Sequence, residues 1–232
     1  MKRGAGLAEH KPKRQTRKLI TGAALMLFNR FGEPSITSSA IAADVGISLG
    51  NLQYHYASKE KIVEDLFAEF EDEIGQTLTA PQERPVHAED LWLFLHLTFE
   101  TIFKYRFLYR DLNELLSRQR IIETQFKQVL IQQLRTVSTL LKGLVEAGHM
   151  RASEAECGVL AERMMMIATY WLSYDFVLNP RRPQDSSTVT RGIVSALSVA
   201  SPYLAPGARA LFDHLSEQYL KTGGDEHAGE TN

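Results

Sequence analysis

The chain has a single cysteine among 232 residues, so no disulfide can close within it and a packed core must hold the fold. Cys157 reads as a core residue of a protein in a reducing, cytoplasmic compartment. The N-terminus agrees with that expectation, because it lacks the apolar core of a signal peptide. Long apolar runs are missing too. Leu91 to Phe99 and Met164 to Leu172 are broken by His96, Thr98, Thr169 and Tyr170, and both fall short of the roughly 20 residues that a membrane-spanning helix needs. There is no alternating strand pattern bounded by hairpin turns, and no internal repeat. The signatures of catalysis are also absent: no glycine-rich phosphate loop, no nucleophile elbow, no zinc-spaced Cys/His cluster and no paired carboxylates. His96 and Glu100 stand at helical spacing, which is too common to define a metal site. The expectation is a protein that is not an enzyme, with no cofactor, no metal and no membrane partner.

What is present is a chain with 44% hydrophobic residues, enough to bury a sizeable core. The net charge of −2 conceals an asymmetry. Up to Lys61 there are ten basic and four acidic residues, or +6, whereas the remainder has sixteen basic and twenty-four acidic, or −8. A polyanion would be drawn to the first quarter of the molecule and repelled by the rest.

Nearly every segment between the polar ends shows the three-to-four spacing of amphipathic helices, and the fold class is all-α. Residues 1–11 and 222–232 read as disordered tails. A first helix is predicted over about Lys13 to Phe31, with Leu19, Ala23, Leu27 and Phe31 along one stripe. Two short helices follow, Ser38 to Val45 and Leu49 to Tyr56, capped by Thr37 and Ser48 and joined by the turn Gly46-Ile47-Ser48. A longer helix runs from Ser58 to about Leu78. Pro81 and Pro85 mark a break, beyond which helices are expected over about 88–105, 107–118, 120–147, 154–178, 187–203 and 206–221. Gly148 closes the third of these, and Ser153 with Glu156 forms a capping box for the fourth. The domains are read as 12–60 and 61–221.

Two short helices joined by a glycine-containing turn are the helix-turn-helix arrangement, whose second helix enters the major groove. Leu52 and Tyr56 are expected to face inward with Ile41, Val45 and Ile47. Gly50, Asn51, Gln53, Tyr54 and His55 are then left outward or along the rim. Taken singly, Tyr54 is a helix aromatic, His55 a surface histidine and Lys59 a solvated lysine. In register, behind the basic run Lys13, Arg14, Arg17 and Lys18, they point to DNA, although such a run also reads as a solvated face.

Over about residues 14 to 65 the sequence resembles the TetR family of transcriptional regulators. The resemblance is carried by Thr37, Ile41-Ala42, Gly46-Ile47-Ser48, Gly50, Leu52, Tyr54-His55-Tyr56 and Ser58-Lys59-Glu60. It implies a homodimer whose paired recognition helices read a palindromic double-stranded DNA operator, most often as a repressor released by a ligand. It implies further that Thr37, Tyr54, His55 and Lys59 hold phosphates and that Ser48, Gly50, Asn51 and Gln53 approach bases. Gln53 departs from the tyrosine common at its position, and a glutamine can pair bidentately with adenine.

In the larger domain the segment Asp90 to Phe103 is apolar nearly all round, which marks a central, surrounded helix. Trp92, His96, Phe99 and Phe103 share one stripe. The helix bearing Met164, Met165, Met166, Tyr170, Trp171 and Tyr174 is apolar on every face and calls for a second partner. The next helix, with Val189, Ile193, Ala196, Leu197 and Ala200 beside small Ser195 and Ser198, is expected to share it. The resemblance makes these two helices a four-helix dimer interface, which would set two recognition helices about 34 Å apart. Trp92, His96, Phe99, Phe103, Met166 and Tyr170 are the candidates for lining a ligand cavity, because aromatic and methionine side chains adapt to irregular apolar shapes. The run Tyr105 to Leu112, with Trp92 to His96 before it, resembles a TetR subgroup linked to polyhydroxyalkanoate metabolism, which implies an elongated apolar effector such as a fatty acyl derivative. An activator of the same fold and a DNA-binding dimer without a ligand remain alternatives.

Overall fold

The computed structural model describes residues 10–77 and 84–225, and the side chains of 13–77 and 84–221. Most of the two expected tails, and Pro81, lie outside the described residues. Among the described residues there are eleven α-helices and one 3-10 turn. They are α1 His10–Phe31, α2 Ser38–Val45, α3 Leu49–His55, α4 Lys59–Thr77, α5 Ala88–Lys104, α6 Arg106–Arg110, α7 Leu112–Arg118, α8 Arg120–Glu146, α9 Glu154–Leu178, α10 Ser186–Ser198, the 3-10 turn Ser201–Tyr203, and α11 Pro206–Asp225. The only extended pairing among them is an isolated bridge of Met150 with Leu204. No described helix is long and apolar enough to cross a membrane.

The helices form two compact units, one of residues up to Asp72 with Tyr105–Thr124, the other of Glu73–Lys104 with Gln125 onward. This differs from a division at residues 60 and 61. The first part of α4, together with α6 and α7, packs in the same unit as the helix-turn-helix, because aromatic side chains bury there together. Phe28 and Phe107 have ring centroids 5.3 Å apart, and Phe70 stands edge-on to Tyr105 and Tyr109 at 5.7 and 5.9 Å. The predicted single helix over 107–118 is two helices that break at Asp111.

The buried stripe of α1 is Ile20, Ala24 and Phe28, one position beyond the stripe predicted. Leu19 and Phe31 are exposed, and Ala23 and Leu27 are half-buried. Both sets satisfy the same helical period, and only the partners in α2, α3 and α6, Phe107 among them, distinguish them.

Where α1 ends, Gly32 takes φ +88°, the left-handed conformation that glycine adopts without strain. The guanidinium of Arg110 donates to the carbonyls of Phe28 (2.9 Å) and Asn29 (3.4 Å), the open end of α1. Asp111 accepts the backbone N–H of Glu33 at 3.1 Å. Glu33 itself is 1% exposed. Its carboxylate lies 3.0 Å from the Lys59 ammonium and pairs on its other oxygen with Arg118. Lys59 also donates to the carbonyls of Glu33 and Ile36, both at 2.9 Å.

A buried carboxylate held by two cations stabilises the fold only while all three groups are present. Glu33→Ala strands a mostly buried lysine and should lower unfolding free energy by roughly 2–4 kcal/mol, toward the low end because Arg118 keeps access to solvent. Urea denaturation measures this, and a loss below about 1 kcal/mol would show that the buried cluster contributes no more than a surface pair.

Candidate nucleic-acid interface

Local rules build the helix-turn-helix. Thr37 sits in extended conformation, and its hydroxyl oxygen accepts the N–H of Ala40 at 3.2 Å, which caps α2. Gly46, at φ +73°, turns the chain out of α2, and the N–H of Ile47 closes on the carbonyl of Ala42 at 2.9 Å. Ser48 caps α3 by accepting from the N–H of Asn51 at 3.1 Å. Each capping hydroxyl uses an acceptor position in this role and keeps its O–H as a donor. Ile41, Leu52 and Tyr56 are buried as expected, and Val45 and Ile47 are half-buried.

Thr37, Ser48, Gly50, Asn51, Gln53 and Tyr54 are exposed, Tyr54 at 70%. Of α3, only Leu52 is buried. A Cβ built on Gly50 meets no atom within 4 Å, so the fold itself has no need of glycine there. His55 is half-buried, and its Nδ1 has no hydrogen-bond partner. Burial, then the charges of Lys13 and Arg17, lower its pKa from the ordinary imidazole value.

The basic residues of α1 divide into two groups. Lys13, Arg14 and Lys18 are exposed, and the Lys13 ammonium lies 4.8 Å from the centroid of the Tyr54 ring. Arg17 instead turns inward: it stacks 4.4 Å over Tyr56, pairs with Asp65 and donates to the carbonyl of His55. The Tyr56 hydroxyl donates to the same Asp65 carboxylate at 2.6 Å, and its pKa is pushed up by burial and by that bond. Arg17, Tyr56 and Asp65 therefore fix α3 against α1 and α4. Asp65 carries no motif that would single it out in the sequence. Lys59 is also inward, and its three donors all face oxygens of Glu33 and Ile36.

In the larger unit the six ligand candidates are not brought together. Trp92 is 8% exposed and stands edge-on to Tyr219 of α11 at 4.8 Å. His96 accepts or donates through Nδ1 to the Tyr219 hydroxyl at 3.1 Å, and its Nε2 lies 3.2 Å from Glu100. Phe99 is buried against Gly192 of α10, where an added Cβ would fall 2.3 Å from its ring. Phe103 is half-buried, whereas Met166 and Tyr170 lie on an exposed face of α9.

Val189, Ile193, Ala196 and Leu197 of α10, and Ala200 just beyond it, are buried within their own unit. Gly192 explains this by admitting Phe99 and Trp171 to the backbone of α10. Polar contacts bind α9 to α10: the Trp171 indole donates to the carbonyl of Thr188 at 2.7 Å, Arg191 pairs with Asp175 at 2.7 Å, and the Thr188 hydroxyl donates to the same carboxylate at 3.4 Å. On α9 an exposed apolar patch is formed by Met166, Tyr170, Tyr174 and Val177.

An all-helical protein with an N-terminal helix-turn-helix and an exposed, polar recognition helix is a DNA-binding regulator by class. A family model described as TetR, bacterial transcriptional repressor, matches residues 69–212. The chain belongs to the TetR family and is a transcriptional regulator, not an enzyme. Among solved structures it is similar to a TetR-family transcriptional regulator from Marinobacter aquaeolei VT8, with 29% identity, 88% of this chain and 98% of that one covered, and a TM-score of 0.80. It shares the fold of the TetR family protein CprB from S. coelicolor A3(2), with 17% identity, 90% and 98% covered, and a TM-score of 0.65. It also shares the fold of SmeT, the repressor of the Stenotrophomonas maltophilia multidrug efflux pump SmeDEF. The complex of SmeT with triclosan gives 20% identity, 84% and 94% covered, and a TM-score of 0.57. Among curated protein sequences none matches this chain.

At Gly50 the fold leaves room for a side chain. Gly50→Ala should keep or raise stability, by up to about 1 kcal/mol, and should weaken DNA binding at least tenfold if α3 meets bases closely at this point. Melting temperature and operator affinity, measured on one preparation, decide the matter. Unchanged affinity would remove Gly50 from the interface.

Proposed function

We propose that the protein is a homodimeric repressor that reads a palindromic operator with α3 and leaves it when a small apolar effector binds. The observation that carries this reading is the row Gly50, Asn51, Gln53 and Tyr54, exposed along α3 beside the basic start of α1, with a glycine for which the fold has no use. Close approach to base edges is what such a glycine permits.

In this reading Ser48, Gly50, Asn51 and Gln53 face bases, with the Gln53 amide suited to adenine. Thr37 and Tyr54 donate hydroxyl protons to phosphates, and His55 gives an imidazole N–H. Lys59 has a different part from the one the family resemblance implies. Its donors hold Glu33 and Ile36, and so it anchors the loop that leads to Thr37.

The apolar face of α9 supports self-association. Met166, Tyr170, Tyr174 and Val177 recur three or four residues apart, are between 49% and 75% exposed, and make a patch that a second copy would cover. Operator and effector then compete through two arrangements of the dimer, each ligand favouring one. SmeT, a repressor solved with triclosan, supports effector release at the level of the fold.

Selection from a random DNA pool, followed by affinity against salt, tests the assignment. A palindromic winner is expected, with log Kd changing by about 0.9 per log unit of salt for each phosphate contact. No enrichment from folded protein would overturn the operator reading. Tyr170→Glu should place a charge on the α9 face, convert the dimer to monomer in sedimentation and abolish tight operator binding. A dimer that survives this change would rule out α9 as the interface.

A further inference from the structure

The outer face of α1 carries apolar side chains that the described residues leave uncovered. Leu19 and Met26, two turns apart, are 57% and 56% exposed. Gly22 between them is exposed as well, and Ala23 beside it is half-buried. A Cβ built on Gly22 meets no atom within 4 Å, so the fold gains nothing from a glycine that weakens a helix interior relative to alanine. DNA does not account for the row either, because phosphates are met by cations and hydrogen-bond donors.

We infer that this face docks, antiparallel, on the same face of a second copy when two copies lie side by side on DNA. The inference rests on the operator-binding reading and is independent of the contact assigned to α9. The order of residues makes the face self-complementary. A two-fold axis through the point between Gly22 and Ala23 sets Leu19 of each copy against Met26 of the other, since both lie equally far from that point along the helix. Gln15 and Arg30, both exposed, are also equidistant from it, so an amide meets a guanidinium at each end. At the centre, glycine leaves the backbone bare, and two helix axes can approach to the near end of the usual range of about 8–10 Å.

Two features confine the contact to DNA. A handful of side chains from each copy falls far short of the roughly 20–30 residues a side that a stable interface uses, so free molecules are not held together by it. Lys13, Arg14, Lys18 and Arg30 of the same helix are exposed and repel a second copy in solution. Phosphates neutralise that charge. A shared duplex also raises the local concentration of one copy beside the other to about the millimolar range. A contact too weak to form in solution then appears as cooperative filling of neighbouring sites.

The test places two copies of the selected operator on one duplex and steps the spacing between them through one helical turn, about 10 base pairs. Electrophoretic mobility titration of the full chain gives the affinity of a single site and the cooperativity between two. At one helical phase the second site should fill at least tenfold more tightly than the first. Leu19→Glu and Met26→Glu should each bring that ratio close to one, while melting temperature stays near wild type and single-site affinity within about threefold. The antiparallel register adds a sharper expectation: Leu19→Glu with Met26→Lys sets unlike charges against each other between copies, and should restore cooperativity that Leu19→Glu with Met26→Glu lacks. Independent filling at every spacing overturns the inference, as does cooperativity that survives Met26→Glu. Equal behaviour of the two double variants overturns the antiparallel register. Failure to bind even a single operator overturns the operator reading itself, and single-site binding without cooperativity sinks the α1 contact alone.

Discussion

The buried carboxylate of Glu33 organises the smaller unit. An ionised group removed from water must be given partners, and the structure supplies Lys59 from the start of α4 and Arg118 from the end of α7. These partners lie far apart in the chain, so burying one side chain draws three elements to a single point. Lys59 in addition holds the carbonyls of Glu33 and Ile36, which positions the segment entering Thr37 and α2. Arg110 and Asp111 complete the arrangement around Gly32. The recognition helix is presented by a frame that these charges close.

Within that frame, the atoms that satisfy the fold and those left exposed are cleanly divided. Thr37 and Ser48 use oxygen acceptors to cap α2 and α3 and retain hydroxyl donors. Arg17 and Tyr56 are occupied by Asp65, whereas Lys13, Gln53 and Tyr54 remain outward. A cation therefore cannot be assigned to phosphate from its place in a motif alone. Arg17 is engaged in holding α3, and Lys59 in holding the segment that leads to α2.

The larger unit is organised by close approach instead of charge. Gly192 lets Phe99 and Trp171 reach the backbone of α10, which consumes the apolar face of that helix in its own core. The apolar residues of α9 left over face outward, and α11 packs on α10 and meets α5 through aromatic edges and the Tyr219–His96 hydrogen bond.

Much of this was legible in the sequence. Helical periodicity, the caps Thr37, Ser48 and Ser153, the turn at Gly46 and the inward pair Leu52 and Tyr56 depend on neighbours within a few residues, and local rules determine them. Other features depend on contacts between residues tens of positions apart. The choice between Leu19 and Ile20 as the buried stripe of α1, the break at Asp111, the inward turn of Lys59 toward Glu33, and the separation of Trp92 and His96 from Met166 and Tyr170 are of that kind. Composition and spacing determined that the chain is helical and where the two short helices of its helix-turn-helix lie. Which face of each helix is covered, and which cation is already neutralised, was decided only by tertiary packing, because burial and charge pairing are properties of what a residue meets in space.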